Sequence, residues 1–317
     1  MATAPDYTID DAVTSVQTKY LIPNSQVLFV NTDIIRFLDE SLRDVIIPLI
    51  NSVREEFWVK AYDTTIVSAT KSYSIPSRAA GAILRDVVFV DNSGNEIDMQ
   101  RLSPVQIKST FPFGFQLPLY TFGYYPQDDQ MVLYPSQAQN ATQYTLRMKA
   151  LRRPNNLVLK ANCGQITVIN GSIITLNVLG DGTWTTATTF DIIPNSPQFV
   201  SRADAVTITA INSVALTITL TAVPTGLSVG DWVCPSLLSC VPQIPYEAFS
   251  LLEQSAILRI AEALGDQSSV AIAQKRFDQL RKDFISLCSP RIQGGTKKIV
   301  NRNSPASWGV VGTPFLR

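Results

Sequence analysis

Between Lys160 and Arg259 the chain carries one basic residue, Arg202, and is rich in threonine, valine and isoleucine. Such β-branched residues favour extended strands. The segments ITVINGSIITLNVL and VTITAINSVALTITL both show this pattern, and the first contains an Asn170-Gly171 pair suited to a tight hairpin turn. The composition therefore predicts a separate β-barrel or β-sandwich over about residues 158–243, inserted into a parent domain.

The parent domain is predicted to begin and end in helices. The segment NTDIIRFLDESLRDVIIPLINSV repeats apolar residues at helical spacing, with Asn31 or Thr32 as its N-cap and a kink or restart at Pro48. A shorter helix is predicted around residues 10–19. After the insert, PYEAFSLLEQSAILRIAEALG predicts a helix that Gly265 ends.

A second C-terminal helix is predicted in DQSSVAIAQKRFDQLRKDFISLCSP, capped by Asp266 or Ser268. Its apolar residues follow a three-four spacing: Val270, Ala273, Phe277, Leu280, Phe284 and Leu287. The short linker before it predicts an antiparallel pair of helices. The apolar stripe then packs on the N-terminal helix or, as the alternative, forms a helix contact between subunits.

From about residue 55 to residue 153 the apolar period falls to two, and hairpins are predicted in LRDVVFVDNSGNEIDMQRL and LYTFGYYPQDDQMVLYP. We expect one small antiparallel sheet, with Arg78, Arg85 and Arg101 in surface ion pairs. The predicted fold is α+β: a helical bundle, a small antiparallel β-sheet and an inserted β-barrel or sandwich. Residues 1–157 and 244–288 form the parent domain, and 289–317 form an extended arm.

Composition restricts the chemistry of this chain. Its 317 residues have zero formal net charge and no histidine, which removes histidine-based catalysis and the commonest metal ligand. Since no catalytic motif is present, we expect no enzyme activity, no cofactor and no metal. The four cysteines lack C-x-x-C spacing and predict reduced, partly buried thiols, with a zinc or disulfide site as the alternative. Trp184 and Trp232 are either a glycan platform or core residues.

The segment 289–317 has basic residues and no acidic ones. We expect it to become ordered by lying along a neighbouring chain, because ordering so long a segment costs about 1–2 kcal/mol per residue in backbone entropy. Contact with nucleic acid is the alternative. The residues expected to bind the portal or a neighbour are Arg291, Lys297, Lys298, Ile299, Arg302, Trp308, Phe315 and Arg317.

The chain resembles the head-to-tail adaptor (connector) proteins of tailed bacteriophages, of the tail tubular protein A type. The resemblance covers roughly residues 30–157 and 244–303, in an order of helix, hairpins, arginine-proline exit and two helices. The residues that match the pattern are Ile75-Pro76, Arg85, Val88, Asp91, Gly94, Glu96 and Arg153-Pro154. The insert at 158–243 departs from it, because minimal adaptors lack such a domain.

The resemblance implies a structural subunit of a phage neck ring, usually of twelve copies, that joins the portal protein to the next tail or neck ring protein. DNA passes transiently through the lumen, and the C-terminal arm extends along the portal. The protein is then made in the host cytoplasm, resides in the virion neck and contacts no membrane; the start MATAPDYTID also lacks the features of a signal peptide. The alternative is a virion protein that binds glycans, contacts the host or docks fibres through the β insert.

Overall fold

The structure, a computed structural model, describes residues 7–20, 29–103, 122–134, 142–180, 184–195 and 201–288. Within these ranges the fold is α+β. The helices are α1 (Ile9–Lys19), α2 (Asn31–Ser41), α3 (Ile47–Arg54), α4 (Phe249–Leu264) and α5 (Gln267–Cys288). The strands are β1 (Val59–Thr65), β2 (Ser72–Ser74), β3 (Ala79–Val90), β4 (Glu96–Asp98), β5 (Gln100–Arg101), β6 (Gly123–Gln127), β7 (Gln130–Tyr134), β8 (Thr145–Arg152), β9 (Asn156–Leu157), β10 (Gly164–Asn170), β11 (Ile173–Leu176), β12 (Phe190–Ile193), β13 (Ala203–Val206), β14 (Ile208–Asn212), β15 (Thr217–Leu220), β16 (Trp232–Pro235) and β17 (Leu238–Ser239).

The five helices share one apolar core. Helix α4 lies at its centre, in contact with α1, α2 and α5. Its sequence is apolar around much of its circumference, which is the pattern expected of a helix packed on several sides. Each helix contributes buried side chains to this core, among them Ile9, Leu38, Leu49, Leu252 and Phe277.

The kink predicted at Pro48 takes the form of a π-helical turn, Leu42–Ile46, between α2 and α3. The Ile47 N–H donates to the carbonyl of Leu42, five residues back, and Pro48 has no N–H to continue the ladder. The predicted N-caps Asn31 and Thr32 are wrong by one or two residues. The N-cap is Val30, whose N–H donates to the Asp33 carboxylate at 3.2 Å.

The segment after α3 forms two four-stranded sheets, and the prediction of one antiparallel sheet is therefore wrong. One sheet has the order β1-β8-β3-β4 and is antiparallel, whereas the other has the order β2-β7-β6-β5 and contains a parallel β5–β6 pair. Both bury side chains in one core, including Phe89, Met131 and Leu146. The β3–β4 and β6–β7 hairpins are confirmed. Sequence spacing identified the hairpins, but it did not show which strands share a sheet.

The β-rich segment forms a seven-stranded antiparallel sheet in the order β13-β12-β16-β10-β11-β15-β14. It is nearly closed, because its two edge strands, β13 and β14, are consecutive in the chain. The β10–β11 hairpin is confirmed, with Gly171 at a left-handed φ of 59° between the strands. At the base of this insert, β9 and β17 form a short parallel pair where the chain enters and leaves.

Candidate subunit interface

A groove of about 710 Å³ opens where the C-terminal end of α1 meets α4 and α5. Gly265, at a φ of 70°, ends α4 as predicted, and Asp266 caps α5 by accepting the Ser268 N–H at 3.0 Å. This tight connection brings the two helices side by side and leaves the groove along one edge of the pair. Its apolar lining includes Tyr20, Ile257, Leu264, Ile272 and Leu280.

The described residues cover the apolar side of the groove only in part. Ile272 is 72% exposed and Leu264 is 45% exposed. At about 100° per residue, Ile272 lies about 100–140° around the helix from the buried residues of α5, Ala273, Phe277 and Phe284. Core packing therefore does not account for this isoleucine, which borders an open apolar surface.

The predicted stripe of α5 is only partly buried. Ala273, Phe277 and Phe284 are in the core, Val270 and Leu280 are half-buried, and Leu287 is 71% exposed. Placing Leu287 in the core by heptad spacing is wrong, although its neighbours Phe284, Ile285 and Cys288 pack in or against that core. The side of α5 that faces the groove thus carries exposed apolar residues near both ends.

Charged groups lie in and beside the groove, whose lining includes Lys19, Asp266 and Arg276. Glu253 of α4 is buried, and its carboxylate accepts hydrogen bonds from the hydroxyl of Tyr7 and the ammonium of Lys19. Burial lowers the pKa of Lys19, and the charge of Arg276 acts in the same direction. Burial raises the pKa of the Glu253 carboxyl to about 7. The ion pair ties α1 to α4 beside the groove.

We expect the free energy of unfolding to fall by about 1–2 kcal/mol between pH 4.5 and pH 8 through Glu253. The unfolded carboxyl, with a pKa near 4.5, loses its proton over this range, while the folded one keeps it until about pH 7. The expected change in the free energy of unfolding is smaller than the full pKa shift of Glu253 implies, because the ammonium of Lys19 stabilises the ionised carboxylate. Urea unfolding of the wild type and of Glu253→Gln across this range measures it. Identical pH profiles for the two proteins would contradict the assignment; Glu262→Gln, at an exposed site in the same helix, is the control.

A buried charge network joins the two small sheets to the β insert. Arg78 is 6% exposed and Asp191 is fully buried, and Nη2 of Arg78 donates to both carboxylate oxygens of Asp191 at 2.7 Å. Nη1 of Arg78 also donates to Asn155 at 2.7 Å. The expectation of a surface ion pair for Arg78 is therefore wrong, since its acidic partner is 113 residues away in the chain.

A second pair extends this network along β1 and β8. Arg152 Nη2 donates to Asp204 of β13 at 3.0 Å, and Lys60 contacts the same carboxylate. Burial lowers the pKa of Arg152. Although burial opposes the ionisation of Asp204, the charge of Arg152 and the hydrogen bond from Lys60 hold its pKa below the ordinary value. Charged contacts thus hold the insert in a defined orientation against the sheets.

Three cysteines meet at the base of the insert. The sulfurs of Cys163, Cys234 and Cys240 all lie within 4.8 Å of one another, and all three residues are buried and free. Burial raises the pKa of Cys163 and of Cys240. Sequence spacing gave no indication of this group, because its members come from separate segments of the insert. Among the described residues, these three cysteines form the group of potential metal ligands whose ligand atoms lie close enough together to hold one ion.

The two tryptophans proposed as a glycan platform lie in the core. Trp232 is fully buried and Trp184 is 8% exposed, with the Trp184 ring 4.7 Å from the ring of Phe190. A sugar stacks on an exposed aromatic face, and neither indole presents one. The platform is therefore not present in this structure, whereas the core alternative agrees with it.

The residues that carry the family resemblance are spread over the β3–β4 hairpin and its surroundings. Gly94 has a φ of 84° in the hairpin turn, and the Asp91 carboxylate accepts the N–H groups of Ser93 and Asn95 at 2.8 Å. Glu96 of β4 bridges Arg147 and Lys149 of β8, which lies two strands away on the far side of β3. These contacts explain the turn and register of a hairpin and form no catalytic arrangement. The remaining matched residues, Ile75, Pro76, Arg85, Val88, Arg153 and Pro154, lie in strands or at strand ends.

The C-terminal arm, residues 289–317, lies outside the described residues. Its predicted binding residues, from Arg291 to Arg317, therefore stay a prediction. In the part of the chain that the structure describes, no helix has the length and apolar character needed to cross a bilayer. No protein-family model matches the chain, and no curated protein matches it either.

Proposed function

We propose that this chain is a structural subunit of a bacteriophage neck ring that joins the portal vertex of the head to the tail and lines the DNA passage. The observation that carries the proposal is the open apolar groove beside α4 and α5, with Ile272 uncovered at its edge. Burying apolar surface favours association, because it removes that surface from water. A neighbouring copy of the same chain would supply that cover.

A ring requires a heterologous interface, in which one surface of a subunit meets a different surface of the next. The groove supplies one such surface on the helical layer. The proposed helical bundle, made of the N-terminal helices and the C-terminal hairpin, is then the part that packs side by side around the axis. The β insert, held by the charge network, projects as a rigid unit on the outside of the ring.

The proposed arm completes the contact with the portal. It follows α5 directly, carries basic and apolar residues and lacks acidic ones. Such a segment suits an extended path along an acidic protein surface, where backbone hydrogen bonds and small apolar side chains add to the charge contacts. The partners are then other copies of this chain, the portal protein, the next neck or tail protein, and DNA in passage.

We expect Ile272→Glu to prevent ring formation while leaving the fold intact. The side chain is 72% exposed, so the subunit tolerates a charge there, whereas a buried interface does not. The variant is mixed with portal-bearing heads, and rings are counted by electron microscopy; circular dichroism checks the fold. Ala271→Glu places the same carboxylate one residue away, about 100° around the helix and outside the groove lining, and is expected to assemble normally.

The two variants decide the proposal together. Loss of rings with Ile272→Glu alone supports a subunit contact at the groove, and counting subunits around the axis of the Ala271→Glu ring gives the copy number. Normal assembly of Ile272→Glu would place the interface elsewhere. Failure of the wild-type protein to bind portal-bearing heads at any concentration would overturn the neck function itself.

A further inference from the structure

We propose that Cys163, Cys234 and Cys240 bind one soft d¹⁰ metal ion, Zn²⁺ or Cu⁺, at the base of the insert. The three sulfurs lie within 4.8 Å of one another, and the Cys234 and Cys240 sulfurs are 4.0 Å apart. A metal–sulfur bond is about 2.3 Å long, so three sulfurs arranged around one ion stand about 4 Å apart. Small side-chain movements therefore suffice to place all three at bonding distance.

The surroundings of the cluster favour a soft ion. The chain has no histidine, and no carboxylate belongs to the group, so the ligand set is sulfur alone. Thiolates select Cu⁺ and Zn²⁺ over Mg²⁺ and Ca²⁺, which prefer oxygen. The side chains packed around the sulfurs are apolar and include Ile193, Trp232 and Val241. Among the described residues, no fourth ligand lies with the three sulfurs. Cu⁺ accepts coordination by three ligands, whereas Zn²⁺ takes a water molecule as its fourth ligand.

The cluster differs from a disulfide site. A disulfide joins two sulfurs at about 2.05 Å and leaves a third thiol unpaired. Here three thiols converge, and the Cys234 and Cys240 sulfurs are 4.0 Å apart. A positive charge also lies on this side of the insert, since Lys160 Nζ is 5.3 Å from the centre of the Trp232 ring. Trp232 in turn packs in the same cluster as the three cysteines.

The position of the cluster indicates what the metal would do. Cys163 precedes β10, Cys234 lies in β16, and Cys240 follows β17, so the three residues flank the points where the chain enters and leaves the insert. The carbonyl of Cys240 also accepts the N–H of Ile9, the first residue of α1, at 2.8 Å. An ion that binds only the folded chain stabilises it, and this one would fasten together the segments at the base of the insert, where the Cys240 carbonyl contacts the helical layer.

The test uses the full chain refolded under reducing conditions with Zn²⁺ or, in a separate anaerobic arm, Cu⁺. After dialysis we expect one ion per chain by elemental analysis and a higher unfolding temperature than that of the metal-free protein. Cys234→Ala is expected to lower the affinity more than about 100-fold, because loss of an outer-shell partner alone typically costs about 10–100-fold. Cys288→Ala, at the fourth cysteine at the end of α5, is expected to bind normally.

Retention of either ion supports the site, and the arm that binds identifies the metal. If the wild-type protein retains neither ion, the proposal is overturned. This outcome does not depend on whether any variant folds. Equal binding by the wild type and Cys234→Ala would also overturn it. None of these outcomes depends on ring assembly, so the site and the neck function are tested separately.

Discussion

Asp191→Ala is expected to lower the free energy of unfolding by about 3–5 kcal/mol. Asp191 is fully buried, and its carboxylate accepts Arg78 at 2.7 Å and the backbone N–H groups of Ala205 and Leu237 at 2.9 Å and 3.1 Å. Removing the carboxylate leaves the Arg78 guanidinium buried without its counter-charge. The loss is large because a buried charge cannot recover its hydration without opening the structure.

Urea unfolding followed by circular dichroism measures this loss. Asp63→Ala is the matched control, because Asp63 also accepts an arginine, Arg147, at 2.7 Å but is 48% exposed. The control is expected to lose at most about 1 kcal/mol. Equal losses in the two variants would mean that the insert is not held to the sheets by the buried pair.

Trp232→Ala is expected to cost about 3–5 kcal/mol, the range measured for large aromatic side chains removed from a core. The ring is fully buried and belongs to the same cluster as the three cysteines. Its removal leaves a cavity at the base of the insert, where β16 pairs with β12 and β10. Far-UV circular dichroism in urea measures the loss, with limited proteolysis reporting on the insert.

Val214→Ala serves as the control in the same domain. Val214 is 95% exposed between β14 and β15, so its truncation is expected to change stability by less than about 0.5 kcal/mol. Stability like that of the wild type in Trp232→Ala would contradict the core assignment. If the wild type bound a glycan array and a stable Trp232→Ala variant did not, Trp232 would have the glycan-binding role that its burial argues against.

The local elements of the fold could be predicted from sequence because each depends on neighbouring residues. Helical spacing identified α4 and α5, and Gly265 ends α4 in the left-handed conformation that glycine adopts at little cost. The β3–β4 hairpin follows from its turn, in which Asp91 accepts nearby N–H groups. The β-rich composition of residues 158–243 also gave the strand content of the insert.

Contacts between distant residues could not be predicted in this way. Arg78 has acidic residues close to it in sequence, yet its partner is Asp191 in the insert. The exposure of Leu287 likewise depends on which elements pack along α5. The spacing of apolar residues within one helix contains no information on those neighbours. Candidate sites in this chain are of the same kind, since the groove and the cysteine cluster each combine separate segments.

Sequence alone determined the helix or strand class of the main segments, the hairpin turns, the end of α4 at Gly265 and the absence of histidine chemistry, because these are properties of residues and their near neighbours. The tertiary structure decided that the middle segment forms two sheets, that Arg78 is buried with Asp191, that three cysteines meet, and that Ile272 stays uncovered. The reason is physical: burial and pairing depend on the path of the whole chain, and many paths are compatible with the same local pattern.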